Sequence, residues 1–330
     1  MLKRSEKTVR RDKPIISVWR ESIGKLLFYS IIIGICFIVL YPILKLFPTV
    51  FNDMGSIGGS GSIWVPDKFS LGSFKVAIYM VYGNFKMVGF SLLYAAVIAF
   101  IQMFMSALIG YAIARHDFWY TKLLTFFVIL VILVPPQATL ISQYLTFKKF
   151  SLFGLIPLFN GGETIDLVNN PAVLFLINFF GFGVNQSVFA FMFRQSFKGF
   201  PYVLEEAARI DGCGYFKTYM RIAFPNAKPI IITVLTLSFV WNYGDTYYTG
   251  YFYPDGPFLA NRLGSLFQWA NREMISDVAN NLLGVVGDNN LILDAVKHAA
   301  ALLYAVPLLI FYFIIQKKLV QNFENSGIVG

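Results

Sequence analysis

A run of nineteen residues without a charged side chain, Leu26–Leu44, limits the possible folds of this chain more than any other feature. An apolar helix of about this length crosses the hydrocarbon core of a bilayer. A signal peptide has a shorter apolar region and a small-residue cleavage site, so we expect an uncleaved first span. Five more apolar segments predict further spans: Met87–Ala114, Leu123–Phe147, Val173–Phe193, Ile230–Gly250 and Ala299–Ile315. The sequence therefore predicts an all-α membrane protein with six transmembrane helices.

The composition also favours a membrane protein. Of the 330 residues 57% are hydrophobic and 14% are charged, whereas soluble domains carry about 25% charged residues. A soluble fold of this composition would expose too much apolar surface. Cys36 and Cys213 provide no disulfide framework or metal-binding spacing, and His116 and His298 match no zinc or catalytic signature. We therefore expect no cofactor, metal or catalytic group.

The positions of the basic residues predict the orientation. Eighteen of the 27 lysines and arginines fall in the two terminal segments and in the loops on the same side, and eight fall in the opposite loops. Because positive charge marks the cytoplasmic face, both termini are predicted to be cytoplasmic. The net charge of +9 then needs no nucleic-acid partner.

The spans divide the chain into regions of predicted location. In chain order these are a basic cytoplasmic segment (1–25), the first transmembrane helix (26–47), an external Gly/Ser-rich loop (48–86) and a core (87–330) that contains a cytoplasmic loop (194–229), an external loop (251–298) and a cytoplasmic tail (316–330). The stretch Asn52–Ser62 is predicted to be flexible, and Asn261–Asn271 is predicted to be helical. The loop 251–298 could be a folded cap over the spans or a contact for a partner, and the sequence leaves both open.

Uncharged polar residues inside the spans are candidates for a solute pathway. They are Asn178, Asn185, Gln186, Asn242, Tyr243 and Tyr247, and Gln102, Gln143 and Asp245 are polar as well. Amides donate and accept hydrogen bonds without a charge, which suits a hydroxyl-rich ligand. Hydrogen bonding between helices is the alternative for the amides, and an aromatic belt at the lipid interface is the alternative for the tyrosines. Pro135–Pro136 and Pro307 predict kinks in the third and sixth spans.

The segment Phe193–Pro229 holds nine of the forty-five charged residues, between two apolar spans. It predicts a short helix over Tyr202–Asp211 with an i,i+4 pair between Glu205 and Arg209 and an apolar stripe of Val203, Ala207 and Ile210. Gly212 and Gly214 are expected to end this helix in left-handed conformations, before a second helix over Tyr215–Ala223. A helix this short cannot form its own core, so it must dock on the chain's own spans or on another protein.

The same segment resembles the cytoplasmic signature loop of ABC importer permeases. That pattern is E-A-A, three residues, G, nine residues, I, one residue and L-P, and the chain has Glu206-Ala207-Ala208, Gly212, Ile222 and Phe224-Pro225 at this spacing. Phe224 replaces the usual leucine. The surrounding residues, together with Trp241-Asn242, the stretches GYAIAR and VPPQATLI and the carboxyl-terminal end, are similar to carbohydrate-importer permeases, especially the second permease of the maltose-type system.

The resemblance implies a type I ABC importer permease fold in a bacterial plasma membrane. The short helix would be a coupling helix that sits in a cleft of an ATPase subunit, with Glu205 and Glu206 facing basic residues there. The residues implied in ATPase coupling are Glu205, Glu206, Ala207, Ala208, Arg209, Asp211, Gly212, Ile222 and Pro225. The carboxyl-terminal residues Ser326–Gly330 would also reach the ATPase dimer. The other implied partners are a second permease subunit and an extracytoplasmic sugar-binding protein that meets the outer loops.

The implied function is the permease subunit of an importer for an oligosaccharide or glycoside. The chain has no GxxxxGK[ST] loop for ATP, so ATPase activity would reside in a partner and the chain itself would not be an enzyme. A permease for amino acids, phosphate or peptides is one alternative. A membrane-embedded enzyme and a stand-alone channel or ion-coupled carrier are others, and a channel or carrier would leave the signature loop unexplained.

Overall fold

The computed structural model describes residues 15–55, 64–83, 86–116, 119–151, 154–156, 162–269, 272–285 and 289–327, and nearly all of their regular structure is helical. Three helices are long: α1 (Ile15–Phe51), α3 (Lys86–Arg115) and α15 (Asn289–Gly327). Each contains a stretch long and apolar enough to cross a membrane. The first, second and sixth predicted spans are thereby confirmed as continuous helices. Pro307 lies inside α15, which continues on both sides of it.

The third predicted span is bent sharply at its two prolines. Helices α4 (Thr121–Leu133) and α5 (Pro136–Lys148) meet at 104°. A residue before proline is forced out of the helical region, and Val134 and Pro135 are both extended, with ψ of 119° and 137°. The predicted kink at Pro135–Pro136 is confirmed.

The fourth predicted span, Val173–Phe193, is not one helix. It consists of α6 (Pro171–Phe179) and α7 (Gln186–Gly199). Between them, Gly181 at φ 90° and Asn185 at φ 51° turn the chain through left-handed conformations that interrupt a helix. The prediction of a continuous fourth helix is therefore wrong.

The segment that contains the fifth predicted span is divided as well. The signature loop supplies α8 (Val203–Ile210), α9 (Tyr215–Thr218), a π-helical turn (Tyr219–Ala223) and the one-turn α10 (Phe224–Asn226).

Helix α11 (Lys228–Tyr243) follows at 80° to Tyr215–Asn226, and α12 (Tyr248–Phe252) is separate from it. The described residues thus contain three apolar spans, or five if each bent pair forms one.

The predicted external regions are folded segments. Helix α2 (Gly72–Ala77) continues as a π-helical turn (Ile78–Tyr82), while α13 (Leu259–Trp269) and α14 (Arg272–Leu283) precede α15. Their buried apolar side chains share one cluster with the spans, namely Val76, Val81, Leu259, Leu266, Ile275 and Ala279. The loop 251–298 thus forms a folded cap, and its predicted helix over Asn261–Asn271 begins two residues earlier, at Leu259, while residues 270 and 271 lie outside the described residues. The Gly/Ser-rich residues 56–63 lie outside the described residues.

Helix α3 separates the two main loops. Near its amino end, Ser91 Oγ accepts a hydrogen bond from the backbone N–H of Leu259 at 2.9 Å. At its carboxyl end, Arg115 Nη2 donates to the carbonyl of Phe200 at 2.6 Å. A helix of 30 residues is about 45 Å long. The loops 251–298 and 194–229 therefore lie at opposite ends of the bundle, as alternating spans require.

Helix α3 approaches α7 at a glycine. A Cβ atom on Gly110 would lie 2.6 Å from Cβ of Phe193 and 2.8 Å from the backbone N of Arg194. A Cβ atom does not come this close to a non-bonded atom, so the helices can pack this closely only because Gly110 has no side chain. Small residues serve this purpose widely between transmembrane helices.

We expect Gly110→Ala to destabilise the folded protein by about 1–3 kcal/mol, because the added methyl must separate α3 from α7. Gly89→Ala is the matched control, since it lies on the same helix with no atom within 4 Å of its Cβ position. The measurement is the thermal unfolding midpoint of both variants in detergent. Equal midpoints for the two variants would contradict the close packing at Gly110.

Candidate functional site

The signature loop carries its short helix in the predicted place. Helix α8 covers Val203–Ile210, with Tyr202 before it and Asp211 after it. Gly212 follows with φ of 80° and with open space around it. The left-handed backbone conformation, rather than crowding, therefore favours glycine there. Gly214 is extended, with φ of −67°, so the prediction of a left-handed Gly214 is wrong.

Glu205 points into the protein. Its side chain is 0% exposed, and it forms an ion pair with Arg115 at 2.9 Å between Nε and Oε1. Tyr111 Oη donates to the other carboxylate oxygen at 2.9 Å. Arg115 also holds the carbonyl of Phe200 just before α8. We call Glu205, Arg115 and Tyr111 the buried clamp, and it fixes α8 to the end of α3.

The burial of Glu205 corrects one expectation. A carboxylate that is fully enclosed by its own chain does not face basic residues of another protein. Glu206, the next residue, is exposed, so its carboxylate is accessible to a partner. Ala208 is buried under α8, while Ala207 lies on the outer side.

Arg209 links both halves of the loop. It lies 3.9 Å from Glu205, so the predicted i,i+4 pair is present but long. Its Nη2 donates to Tyr202 Oη at 2.8 Å, and its guanidinium lies 4.9 Å from the ring of Tyr202 and 5.5 Å from that of Tyr215. The hydrogen bond to Tyr202 raises the pKa of Arg209, which keeps the guanidinium charged. Arg209 thus holds the start of α8 near the start of α9.

The outward side of α8 carries an apolar stripe beside the exposed Glu206. Val203 is 70% exposed and Ile210 is 86% exposed, and with Ala207 they form the predicted stripe, which we call the outer stripe. Tyr215 and Phe216 on α9 are exposed as well. An ordinary surface helix buries its apolar face and exposes its charges. In α8 this burial is partly reversed, since the helix buries Glu205 and exposes Ile210, while Glu206 also stays exposed.

The second half of the loop is anchored by aromatic packing. Tyr219 is 1% exposed, and its ring lies 4.9 Å from Tyr111 and 5.7 Å from Phe224. Phe224, the departure from the signature pattern, therefore joins this cluster. Ile222 is half-buried, and Pro225 is exposed at the turn into α11.

The amides form a buried network between helices. Gln102 Nε2 donates to Asn178 Oδ1 at 2.6 Å, and Gln102 Oε1 accepts from Asn242 Nδ2 at 2.9 Å and from Ser238 Oγ. Gln186 Nε2 donates to the carbonyl of Asn178 at 2.7 Å. We call this the amide network. Since it joins α3, α6, α7 and α11, it supports the alternative of helix–helix hydrogen bonding for Asn178, Gln186 and Asn242.

Gly183 belongs to the amide network although sequence reasoning missed it. A Cβ atom there would lie 1.9 Å from Asn178 Oδ1 and 2.4 Å from Gln102 Nε2. Its backbone N–H donates to Gln186 Oε1 at 3.0 Å. The two glycines of GFG inside an apolar segment were the available signal.

The candidate tyrosines have different surroundings. Tyr243 is buried and stacks on Tyr304, and each hydroxyl donates to the other residue's carbonyl, at 3.2 and 3.0 Å. Tyr247 is half-buried beside Tyr248 and Tyr251. Asp245 is buried and accepts hydrogen bonds from the backbone of Tyr247, Tyr248 and Thr249, so it caps α12. A lipid-interface belt does not describe the buried Tyr243.

A cavity of about 440 Å³ lies beside the two interrupted spans. Among the six candidate pathway residues, only Asn185 lines it. The other polar lining residues are Thr139, Ser142, Gln143, Thr146 and Ser187. We call this the interhelical cavity. Within the described ranges, no three acidic, histidine or cysteine side chains group to hold a metal.

Residues 106–325 match a family described as binding-protein-dependent transport system inner membrane component. The chain belongs to this family. The match covers the signature loop, the amide helices α6, α7 and α11 and most of α15. The protein is therefore a membrane component of a binding-protein-dependent transport system.

Several relatives of this permease are described as transport proteins. A probable ABC transporter permease of Mycoplasma genitalium is 27% identical over 93% of this chain and 89% of its own length. The maltodextrin transport system permease of Streptococcus pneumoniae is 24% identical over 92% and 95%, and the melibiose/raffinose/stachyose import permease of Bacillus subtilis is 23% identical over 70% and 71%.

A solved structure shares the fold of the permease. The crystal structure of a bacterial ABC transporter involved in the import of the acidic polysaccharide alginate contains a chain that matches with a TM-score of 0.67. The identity is 16%, and the match covers 90% of this chain and 97% of that one. At this identity the likeness concerns the fold alone.

We expect Arg115→Met to lower the free energy of unfolding by about 3–5 kcal/mol, because Glu205 would stay buried without its cation. The double variant Arg115→Met/Glu205→Leu should recover most of that loss, since both charges are then absent. Arg221→Met, at an exposed site of the same loop, is the control. Thermal unfolding of the detergent-purified protein is the measurement, and an unfolding midpoint equal to the control's would count against the clamp.

Proposed function

We propose that this chain is a transmembrane permease subunit of an ABC importer that carries a carbohydrate, an oligosaccharide or glycoside, into the cell. ATP hydrolysis by a separate ATPase subunit drives the transport. The family supports the importer role, and the sugars in the relatives' descriptions support the substrate class. The chain itself performs no catalysis.

The reversed burial of α8 is the observation that carries this proposal. An exposed apolar stripe on a short helix needs a covering surface, because contiguous apolar patches mark interaction sites. A groove that accepts an amphipathic helix is a common form of recognition, with anchors at i, i+4 and i+7. Val203, Ala207 and Ile210 have this spacing. We assign the covering groove to the ATPase subunit.

The remaining loop residues then divide into two roles. Glu206 and Asp211 are exposed and face basic residues of the ATPase, while Gly212 lets the chain turn closely after α8. Glu205, Ala208 and Arg209 hold the helix on the permease. Ile222 and Pro225 lead from the loop into α11.

The buried clamp gives the motion of α8 a path into the bundle. An ATPase can drive a change only if it contacts two states of the permease differently. When the groove moves α8, the Glu205–Arg115 pair moves the end of α3 with it. The tight contact at Gly110 passes this to α7, and the amide network passes it to α6 and α11.

The other partners follow from the surfaces that remain. In the predicted orientation, in which both termini are cytoplasmic, α8 lies on the ATPase side, and α13 and α14 lie outside, where a sugar-binding protein meets them. A second permease subunit covers part of the exposed apolar surface of α1 and α4. The tail of α15 reaches the ATPase dimer; residues 328–330 lie outside the described residues.

We expect Ile210→Asp to weaken the contact with the ATPase ~30-fold, because an anchor in such an interface contributes about 2 kcal/mol or more. Folding should be unaffected, since the side chain is 86% exposed.

A double replacement of Glu206 and Gly212 should abolish uptake without preventing insertion into the membrane.

ATP-driven sugar uptake into proteoliposomes is the measurement for these variants, with co-purification of the ATPase as the second readout. The control is Trp119→Asp, which is also exposed but lies in the neighbouring loop 115–122, outside the signature loop. Normal uptake by Ile210→Asp would refute the assignment of α8 to the ATPase.

The orientation has a separate test. After Cys36 and Cys213 are replaced by serine, Lys217→Cys should react with a membrane-impermeant thiol reagent only from the cytoplasmic side. Asn281→Cys, exposed on α14, should react only from outside. The opposite pattern would reverse the topology without changing the fold.

A further inference from the structure

The interhelical cavity lies where two helix interruptions meet. The break between α4 and α5 contributes Val134 and Pro136 to its wall, and the break between α6 and α7 contributes residues 181–185 apart from Val184. Interrupted backbone at membrane depth is tolerated only where protein covers it or where it lines a water-filled space. Discontinuous helices of this kind form the solute sites of many transporters. The cavity therefore has the architecture of a binding site.

The polar groups of the cavity differ from those of the amide network. In the network every member is used in hydrogen bonds between helices. In the cavity, the exposed Asn185 makes no side-chain capping bond to α7 despite its position at the start of that helix. Gln143 donates one bond to Thr139 Oγ1 at 3.2 Å, and its amide oxygen remains an acceptor. The amides of the network are occupied by hydrogen bonds within the chain, whereas polar groups of the cavity can still form hydrogen bonds with a ligand.

The lining also determines the charge of that ligand. None of the lining residues in the described ranges carries a charge. A charged ligand would lose water without gaining a counter-ion, which is costly in such a site. Hydroxyl groups, by contrast, pair with amide and hydroxyl side chains in both directions. The aromatic rings of Phe182 and Tyr248 add flat apolar surface for the faces of sugar rings.

We propose that this subunit itself holds a subsite for a neutral, hydroxyl-rich glycan segment, formed by Ser142, Gln143, Asn185 and Phe182. The proposal rests on the proposed importer function, narrows its substrate class to neutral glycans and adds a location. The volume of the interhelical cavity, about 440 Å³, lies within the range of roughly 300–1,000 Å³ that is typical of small-molecule sites. Because none of the described lining residues is cationic, we expect this subsite to bind glycans rich in uronic acids weakly.

Protection of an introduced cysteine tests the subsite. The complete complex with its ATPase, partner permease and binding protein is purified, with Cys36 and Cys213 of this chain replaced by serine and Ser142→Cys introduced. Maltotriose and raffinose are the neutral probes, and trigalacturonate is the acidic one. At a concentration about ten times its Kd, a neutral probe should slow modification of Ser142→Cys by a small thiol reagent ~10-fold, because about one site in ten stays free.

Two variants make the test specific. Ser151→Cys changes the same residue type just beyond α5 and outside the cavity lining, so no probe should protect it. Gln143→Leu in the Ser142→Cys background removes the amide at similar volume, and protection by the neutral probes should be lost. Absence of protection by both neutral probes, or equal protection by trigalacturonate, overturns the proposal.

Uptake by the same complex separates this proposal from the importer function. If ATP drives uptake of a neutral probe that does not protect Ser142→Cys, the subsite assignment fails and the importer function stands. If a neutral probe protects Ser142→Cys but ATP drives uptake of no carbohydrate, the importer function fails and the binding site stands.

Discussion

The pairing of Glu205 with Arg115 determines how the inner loop is attached to the rest of the protein. A carboxylate that is 0% exposed is stable only with a charge partner and hydrogen-bond donors, because an isolated buried charge is very costly. Arg115 and Tyr111 supply them from one end of α3. The same arginine donates a hydrogen bond to the carbonyl of Phe200, just before α8. One side chain therefore holds both the short helix and the backbone that leads into it. This attachment therefore joins α8 directly to the end of α3.

Burying the carboxylate has a consequence for the opposite face of α8. The face of α8 that packs against the protein is occupied by Glu205 and Ala208. The apolar residues of the sequence pattern are therefore left outside, where a soluble helix would not keep them. The buried polar contact thus leaves the apolar stripe exposed, and on this stripe the proposed contact with an ATPase depends.

The sequence predicted the elements whose signals are local. Charge-free runs identified α1, α3 and α15, and the proline pair identified the bend between α4 and α5. Glycine after a short amphipathic run identified the end of α8 at Gly212. The burial of Glu205 rather than Glu206 was not predictable from the local sequence. It depends on which of the two adjacent glutamates meets Arg115, a residue that lies far away in the chain. The break between α6 and α7 was missed because an average over an apolar segment conceals the conformations of Gly181 and Asn185.

The amides illustrate the same limit and lead to a physical distinction. In sequence, Asn178, Gln186, Asn242 and Asn185 are equivalent polar residues in apolar spans. In the structure, three of them form hydrogen bonds between helices, and the fourth stands at a helix break beside an uncharged cavity. A group whose bonds are already made within the chain loses them if it binds a solute, whereas a group with spare capacity gains from the solute. Because a solute must also leave, several weak uncharged contacts serve a pathway better than one strong ionic contact, and the interhelical cavity offers contacts of the first kind.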